Sequence, residues 1–406
     1  MSELSENGVL IAHPTRQHSH RLAQALHSEG LLHSYWTLLP DERSLAWLPL
    51  FTRKLIPSAI KRNSLQELPQ DKVHLLPGPL IAQKLASRFS NPSVQLLGEY
   101  IAWAAFDRWV ASQLPKQRPR IVVGYEMCCA ETFRVASSLG IKCVLDAAAV
   151  HVDLQENILV DSCKGRNTWA GKLLRERKLA EINLADTIIC VSGFAKRSYV
   201  SAGVDPRKIT LNAVGCDTQL FSQASKLQRS GPVRFIFAGL PATHKGFDLL
   251  FSSFARLVTE IGGVELHVAG DAMLAERFVD HPLKGLELHG KLSHDQLVKL
   301  LSCMDCLVLP SRLESFGMVV VEALAAGVPV IVSDHVGAAE AVKEGINGWI
   351  IPADDAEALY QRMLACCENI DKVRTMNVAC SESASDYDWA HYSRRAVEIF
   401  APMIGQ

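Results

Sequence analysis

The chain carries the sequence VLPSRLESFGMVVVEALAA at residues 308–326, and this stretch decides the fold. A short apolar run ends at Pro310, a polar loop holds Glu314, and apolar residues resume after Phe316 and Gly317. The pattern predicts a buried strand, a loop and a helix that begins near Gly317. Because first-turn N–H groups lack helical partners and lie at the positive end of the helix dipole, we expect an anion site suited to a pyrophosphate.

Similar strand and helix patterns recur along the whole chain. Short apolar runs that predict strands are Val9–Ala12, Ile121–Val123, Cys143–Leu145, Thr187–Val191, Arg234–Ala238, Glu265–Ala269, Leu286–His289, Cys306–Leu309 and Pro329–Val332. Such strands, alternating with helices, are typical of parallel sheets covered on both faces. The fold class is therefore predicted as α/β.

Apolar periodicity lapses between Asn212 and Pro232, where we place a domain linker. We predict two doubly wound, Rossmann-like domains, residues 1–212 and 213–385, that face an interdomain cleft. Residues 386–406 are expected to form a C-terminal helix that packs back towards the first domain. The spacing of Asp386 and Asp388 is found in metal sites of some enzymes, but just before a helical pattern an Asp is expected as a helix cap, and we predict no metal.

The net charge of −1 conceals two oppositely charged halves. Residues 1–210 hold 26 basic and 19 acidic side chains, whereas residues 211–406 hold 16 and 24. The basic stretches 43–65 and 164–178 contribute to the positive half. Either stretch could contact a membrane surface or an anionic acceptor, or form an ordinary solvated face. No nucleic-acid motif, signal peptide or membrane-spanning run is visible, so we expect a cytoplasmic protein, with peripheral contact on the inner membrane face left open.

Several polar residues follow predicted strands and are candidates for the site. Glu314 precedes the helix and Glu322 lies about two turns along it, so the two can accept hydrogen bonds from different hydroxyls of one ligand. Gly239 follows another strand, and Lys245 can supply a point charge to the same phosphates. His151 follows the strand Cys143–Leu145, at the end of the sheet that faces the cleft. A loop histidine that only hydrogen-bonds the backbone is the alternative.

The segment after the first strand is rich in histidine, with His13, His18 and His20. We expect either a contact with the acceptor or a solvated helix start. A metal site would need ligands that the local sequence does not show.

Longer motifs resemble a known family. The pattern Glu314, seven residues, Glu322 is followed by AAGVPVIVSD at 325–334, GAAE at 337–340 and GING at 345–348. This order is similar to the donor domain of family 4 glycosyltransferases, and the resemblance covers nearly all of residues 181–400. It implies the GT-B fold and a retaining, metal-independent hexosyltransferase that uses a nucleotide-diphosphate sugar as substrate and no cofactor.

The resemblance also implies a role for each matching residue. Glu314 would contact hydroxyls of the donor sugar, and His151 would touch that sugar beside the reaction centre. The remaining donor-binding residues are Gly239, Lys245, Phe316, Gly317, Met318, Val319 and Glu322, the last on the ribose. One position departs from the family pattern, since Leu240 stands where an arginine is common. A phosphate cation is therefore missing or supplied from elsewhere.

We therefore expect transfer of a sugar to a saccharide or lipid-linked acceptor, in cell-envelope or exopolysaccharide biosynthesis. The partners would be the nucleotide sugar and an acceptor that is anionic if the positive half binds it, but no nucleic acid. A sugar-nucleotide epimerase of the same fold and a catalytically silent GT-B scaffold are the alternatives.

Overall fold

A computed structural model describes residues 8–15, 17–38, 68–76, 78–79, 91–159, 168–224, 231–278 and 283–405. The basic stretch 43–65 lies outside the described residues, and the stretch 164–178 is described from Thr168 onwards. The described chain forms two α/β domains, each built on a parallel sheet.

The first sheet has seven strands in the described residues, in the order β3-β2-β1-β4-β5-β6-β7. Its strands are β1 (Val9–Ala12), β2 (Leu32–Thr37), β3 (Val73–Leu75), β4 (Ile121–Tyr125), β5 (Lys142–Ala147), β6 (Thr187–Cys190) and β7 (Ile209–Leu211). The helices around it are α1 (Ser19–Ser28), α2 (Pro92–Gln117), α3 (Ala130–Ser138), α4 (Val152–Ile158), α5 (Trp169–Leu184) and α6 (Gly193–Ser201). A short helix, α7 (Thr218–Phe221), follows β7 in the chain and precedes the second sheet.

The second sheet has six strands in the described part of the chain, in the order β10-β9-β8-β11-β12-β13. Its strands are β8 (Val233–Ala238), β9 (Val264–Ala269), β10 (Leu286–Gly290), β11 (Cys306–Leu309), β12 (Val330–Ser333) and β13 (Gly348–Ile351). The helices are α8 (Phe247–Glu260), α9 (Ala272–Ala275), α10 (His294–Leu301), α11 (Met318–Ala325), α12 (Ala356–Glu368), α13 (Ile370–Arg374), α14 (Asn377–Ala384) and α15 (Trp389–Ile404).

The central strands are buried along their whole length, as the apolar runs predict. Every residue of β1, β4, β11 and β12 is buried. In each sheet β-branched side chains fill both faces, and the paired strands are parallel. Because parallel strands direct their carboxyl ends to one edge, the loops after β1, β5, β8 and β11 gather at the edge of each sheet where ligands bind.

The nine predicted strands are present, and none of their ends differs from the prediction by more than two residues. Four strands were not predicted: β2, β3, β7 and β13. The first sheet ends at Leu211 and the second begins at Val233, so the chain crosses between sheets within the predicted linker. None of the described helices is both long and apolar enough to span a membrane.

The last helix, α15, belongs to the second half of the sequence but packs on α1 of the first domain. The Arg21 guanidinium lies 5.1 Å from the centre of the Trp389 ring, and the Cys216 N–H donates to the Tyr387 carbonyl over 2.7 Å. Asp388 caps α15 by accepting from the His391 N–H over 2.6 Å, as its sequence position predicts.

Helix α5 carries the described part of the basic stretch, and most of its cations are paired with acidic side chains of the same domain. Arg177 pairs with Asp107, which is fully buried and also accepts the Glu131 and Thr132 N–H groups at the start of α3. Arg175 pairs with Asp153 and Glu156, and Lys178 lies 3.9 Å from Glu126. This arrangement braces α2, α3 and α5, and it leaves little free charge on α5 for a membrane or an acceptor.

Candidate active site

The loop between β11 and α11 forms one wall of the site. Gly317 caps α11 with a φ of 93°, a left-handed conformation that favours glycine. The backbone around it is held by a second segment, because the Gly337 N–H donates to the Glu314 carbonyl and the Ala338 N–H to the Phe316 carbonyl. The loop therefore presents Glu314 and the free N–H groups of the α11 first turn side by side.

A turn between β8 and α8 forms the neighbouring wall. Gly246 has a φ of 66°, and a Cβ there would overlap the Pro310 carbonyl. This close approach sets Lys245 beside the β11–α11 loop. Arg312 holds the turn and the loop together. Its guanidinium pairs with Asp248 at 2.7 Å, and its backbone N–H donates to the His244 carbonyl over 2.9 Å.

Both walls open into a cleft of about 540 Å³ between the two domains. Seven of the nine residues predicted for the site line it: Gly239, Lys245, Glu314, Phe316, Gly317, Met318 and Val319. The lining also includes Leu240, Leu309 and Ser315 from the second domain and Gln17, His18 and Ala148 from the first.

Lys245 and Glu314 form an ion pair in this cleft, with both side chains about four-fifths buried. Burial lowers the pKa of Lys245 to about 8, so its ammonium is charged at neutral pH. The pair holds Glu314 in place, and it also means that the charge of Lys245 is already balanced before any anion enters.

Ser315 joins the two domains at the centre of the cleft. Its hydroxyl accepts the Val150 N–H over 3.1 Å, and its carbonyl accepts the Ser192 hydroxyl over 2.6 Å. Beside it the rings of Phe194 and His335 stack with their centres 5.3 Å apart. The described domains are therefore in direct contact next to Glu314.

Two predicted residues lie away from the lining. Glu322 is buried on α11, and this burial raises the pKa of its carboxyl while the nearby His294 opposes the rise. His151 is also buried, with its ring against Tyr199 and its Nδ1 accepting the Asp153 N–H as the cap of α4. These contacts are the ones expected from the alternative interpretation, a loop histidine that hydrogen-bonds the backbone. The catalytic role of His151 stays a prediction.

The first domain instead brings His18 to the cleft. Its Nε2 lies 2.9 Å from a carboxylate oxygen of Asp146, and both side chains are more than nine-tenths buried. His18 was predicted only as one of several histidines after β1. Since 128 residues separate the two partners, no local pattern could have paired them.

In the described residues, no cluster of three or more histidine, cysteine or acidic side chains is arranged to hold a metal ion.

The sequence also matches a family model. Residues 219–379 match the family described as glycosyl transferases group 1. This segment is a group 1 glycosyltransferase domain. It contains Gly239, Lys245 and the whole β11–α11 loop.

Curated glycosyltransferases are similar to about half of the chain. Glycogen synthase of Mycobacterium tuberculosis is 28% identical over 199 residues, 48% of this chain and 48% of the relative. Phosphatidyl-myo-inositol mannosyltransferase of Mycolicibacterium smegmatis is 29% identical over 227 residues, 53% of this chain and 57% of the relative. The chain thus spans about half the length of the curated relatives it matches.

The likeness to solved structures covers both domains. The structure of Anabaena HepE in complex with UDP has a TM-score of 0.64 and 16% identity, over 97% of this chain and 100% of that one. At this identity the likeness shows the fold, which is GT-B, with the group 1 domain as its second half.

Proposed function

We propose that this chain is a retaining glycosyltransferase that moves a hexose from a nucleotide-diphosphate sugar to a saccharide or lipid-linked acceptor. One observation carries the proposal: Glu314, Lys245 and the N-terminus of α11 line a single cleft between two GT-B domains. A carboxylate that can accept hydrogen bonds from sugar hydroxyls lies beside groups that can bind phosphate, as a sugar diphosphate requires.

In the proposed reaction the bond between the sugar C1 and the diphosphate oxygen breaks, and the diphosphate leaves with the electron pair. The α11 amides and Lys245 stabilise the charge that develops on it. The acceptor oxygen bonds to C1 on the same face, and its proton passes to an oxygen of the leaving diphosphate. Among the described lining residues Glu314 is the one carboxylate, and its ion pair with Lys245 disfavours a covalent role.

Because Lys245 and the α11 amides would stabilise the leaving diphosphate, as a divalent ion does in other transferases, we propose metal-independent transfer. Transfer that is unchanged in excess EDTA is the expected result. Loss of transfer in EDTA with recovery on added Mg²⁺ or Mn²⁺ would contradict it.

A lipid-linked or saccharide acceptor in cell-envelope or exopolysaccharide biosynthesis fits the relatives, one of which is named for mannosyl transfer to phosphatidyl-myo-inositol. The positive first half makes an anionic acceptor part of this proposal. Transfer should then fall as salt rises from about 50 to 500 mM, because salt screens exposed charges. Salt-independent transfer would argue against it.

The deciding experiment is transfer of labelled sugar from a panel of UDP, GDP and ADP sugars to an acceptor extract. Labelled product that depends on the acceptor supports the transferase. Conversion of the donor sugar without an acceptor would support the epimerase instead. Donor binding without any turnover would support the silent scaffold.

A further inference from the structure

Lys245 and Glu314 are each other's partners in the cleft, although the proposed reaction needs both of them for the donor. Their ion pair joins the two walls, and both side chains are about four-fifths buried. In the proposed reaction Lys245 binds phosphate, and Glu314 accepts hydrogen bonds from hydroxyls of the sugar. A ligand can therefore engage either group only by separating the pair.

The cleft offers an anion few other charged partners. Among the described residues that line it, the other basic side chain is His18, whose imidazole hydrogen-bonds the carboxylate of Asp146. Leu240, which also lines the cleft, is apolar. Apart from the α11 amides, an incoming phosphate therefore depends on Lys245, and it has to draw that lysine away from Glu314.

The backbone holds Glu314 in place when the lysine moves. Its N–H donates to the His335 carbonyl over 3.0 Å, and its carbonyl accepts the Gly337 N–H over 2.9 Å. A Cβ on Gly317 would lie 3.1 Å from the Glu314 Cγ, so the side chain is also packed against the start of α11. The Lys245 ammonium, in contrast, stands on a flexible four-carbon stem. The carboxylate is thus the fixed member of the pair, and the ammonium is the mobile one.

Separation of the pair has different consequences for two kinds of ligand. A mostly buried carboxylate without a partner is unfavourable. An intact nucleotide sugar replaces the ammonium with hydroxyl donors from its sugar, so Glu314 stays hydrogen-bonded. A nucleoside diphosphate has no sugar hydroxyl at that position. It instead brings a terminal phosphate with an additional negative charge close to the carboxylate, and like charges at short range repel each other.

We propose that the Lys245–Glu314 pair makes the cleft selective for the intact nucleotide sugar over the nucleoside diphosphate that transfer releases. This selectivity rests on the proposed function, since it requires both groups to bind the donor. A ligand that carries phosphate and sugar together satisfies both members of the pair, whereas a ligand with phosphate alone leaves Glu314 without a partner. The released diphosphate leaves readily, because the ammonium returns to Glu314.

The test measures, by calorimetry on the full chain, the affinity for UDP, GDP and ADP and for their glucose, galactose and mannose conjugates. The proteins are wild type, Glu314→Gln and Glu265→Gln, at a pH where the Lys245 ammonium is charged. Glutamine keeps an acceptor oxygen but removes the negative charge. Glu265 pairs with Arg234 at 2.8 Å near the amino ends of β9 and β8, at the edge of the sheet opposite the cleft, and its variant is the matched control.

In wild type the preferred nucleotide sugar should bind more tightly than its diphosphate. Glu314→Gln should tighten binding of that diphosphate about tenfold, because Lys245 is released and a neighbouring negative charge is removed. The same variant should bind the nucleotide sugar no more tightly than wild type, since the sugar loses a charged acceptor. Glu265→Gln should match wild type for both ligands.

Other results would reject this selectivity. An unchanged or weaker diphosphate affinity in Glu314→Gln, or equal tightening for both ligands, overturns it and leaves the proposed function standing. A wild-type chain that binds the diphosphate more tightly than the nucleotide sugar overturns it without any variant, so the test does not depend on the folding of Glu314→Gln. A wild-type chain that binds none of these nucleotides overturns the proposed function as well.

Discussion

The two domains contribute to the cleft in different ways. The second domain builds its wall from two compact pieces of chain, the turn at Lys245 and the loop from Pro310 to Val319. The first domain brings together distant residues, because His18 follows β1 and Asp146 ends β5. The second wall is thus encoded locally, whereas the first exists only once its sheet has formed.

This difference teaches where each kind of change should act. Substitutions in the local wall should affect chemistry and leave the fold intact. Substitutions in the first domain should act through the packing that assembles it.

Replacing Glu314 with alanine should reduce kcat for transfer about 10³-fold, the upper range for loss of a group that acts on the transition state. It removes the proposed sugar contact and leaves Lys245 without its partner. Steady-state kinetics measure the effect, and thermal melting checks the fold. Glu368→Ala, at an exposed position in the same domain, is the control. Retention of the full rate would remove Glu314 from the site.

Replacing Arg177 with methionine should lower the free energy of unfolding by about 3 kcal/mol, because buried Asp107 loses its charged partner. Urea unfolding measures this loss. Arg207→Met breaks an exposed pair on the same domain and should leave the free energy of unfolding nearly unchanged. Equal effects of the two substitutions would mean that the buried pair does not brace α2, α3 and α5.

The pH dependence of kcat/KM for the donor should show a fall above pH 8. Burial lowers the pKa of Lys245 to about 8, so the free enzyme loses this cation as pH rises. The decline should approach about tenfold per pH unit well above that value. Lys245→Arg, which stays charged, should remove this limb. An unchanged limb in that variant would assign it to another group.

Ser315→Ala should have the smallest effect. It removes the acceptor of the Val150 N–H but keeps the carbonyl that binds Ser192, so closure loses about 1 kcal/mol. We expect KM for the donor to rise about fivefold with kcat nearly unchanged. The exposed Ser385→Ala is the matched control. A large fall in kcat instead would place Ser315 in the chemistry rather than at the domain contact.

Much of the second domain could be predicted from sequence because its information is local. An apolar strand, a loop glycine and an apolar helix follow each other without interruption, so the positions of Glu314, Gly317 and Lys245 follow from spacing. The strand β13 escaped prediction because only four residues, Gly348–Ile351, form it, and such a short run has no distinct periodicity.

The first domain was harder to predict for physical reasons. The position of His151 just past the end of β5 suggested that it lies at the cleft. Periodicity does not reveal which side chains of this loop cap a helix and which face the cleft. Ala148, three residues earlier, lines the cleft instead. Similarly, the basic composition around α5 predicted a charged surface. Arg177 instead pairs with the buried Asp107, which lies 70 residues away in the sequence.

The contact of Val150 with Ser315 makes one backbone amide a natural reporter of domain opening. Val150 is fully buried, and its N–H is bonded to a residue of the other domain, so exchange with deuterated solvent requires the domains to separate there. The exchange rate of this amide therefore measures how often the two domains separate at this contact. Comparison of that rate with turnover would show whether opening limits each catalytic cycle.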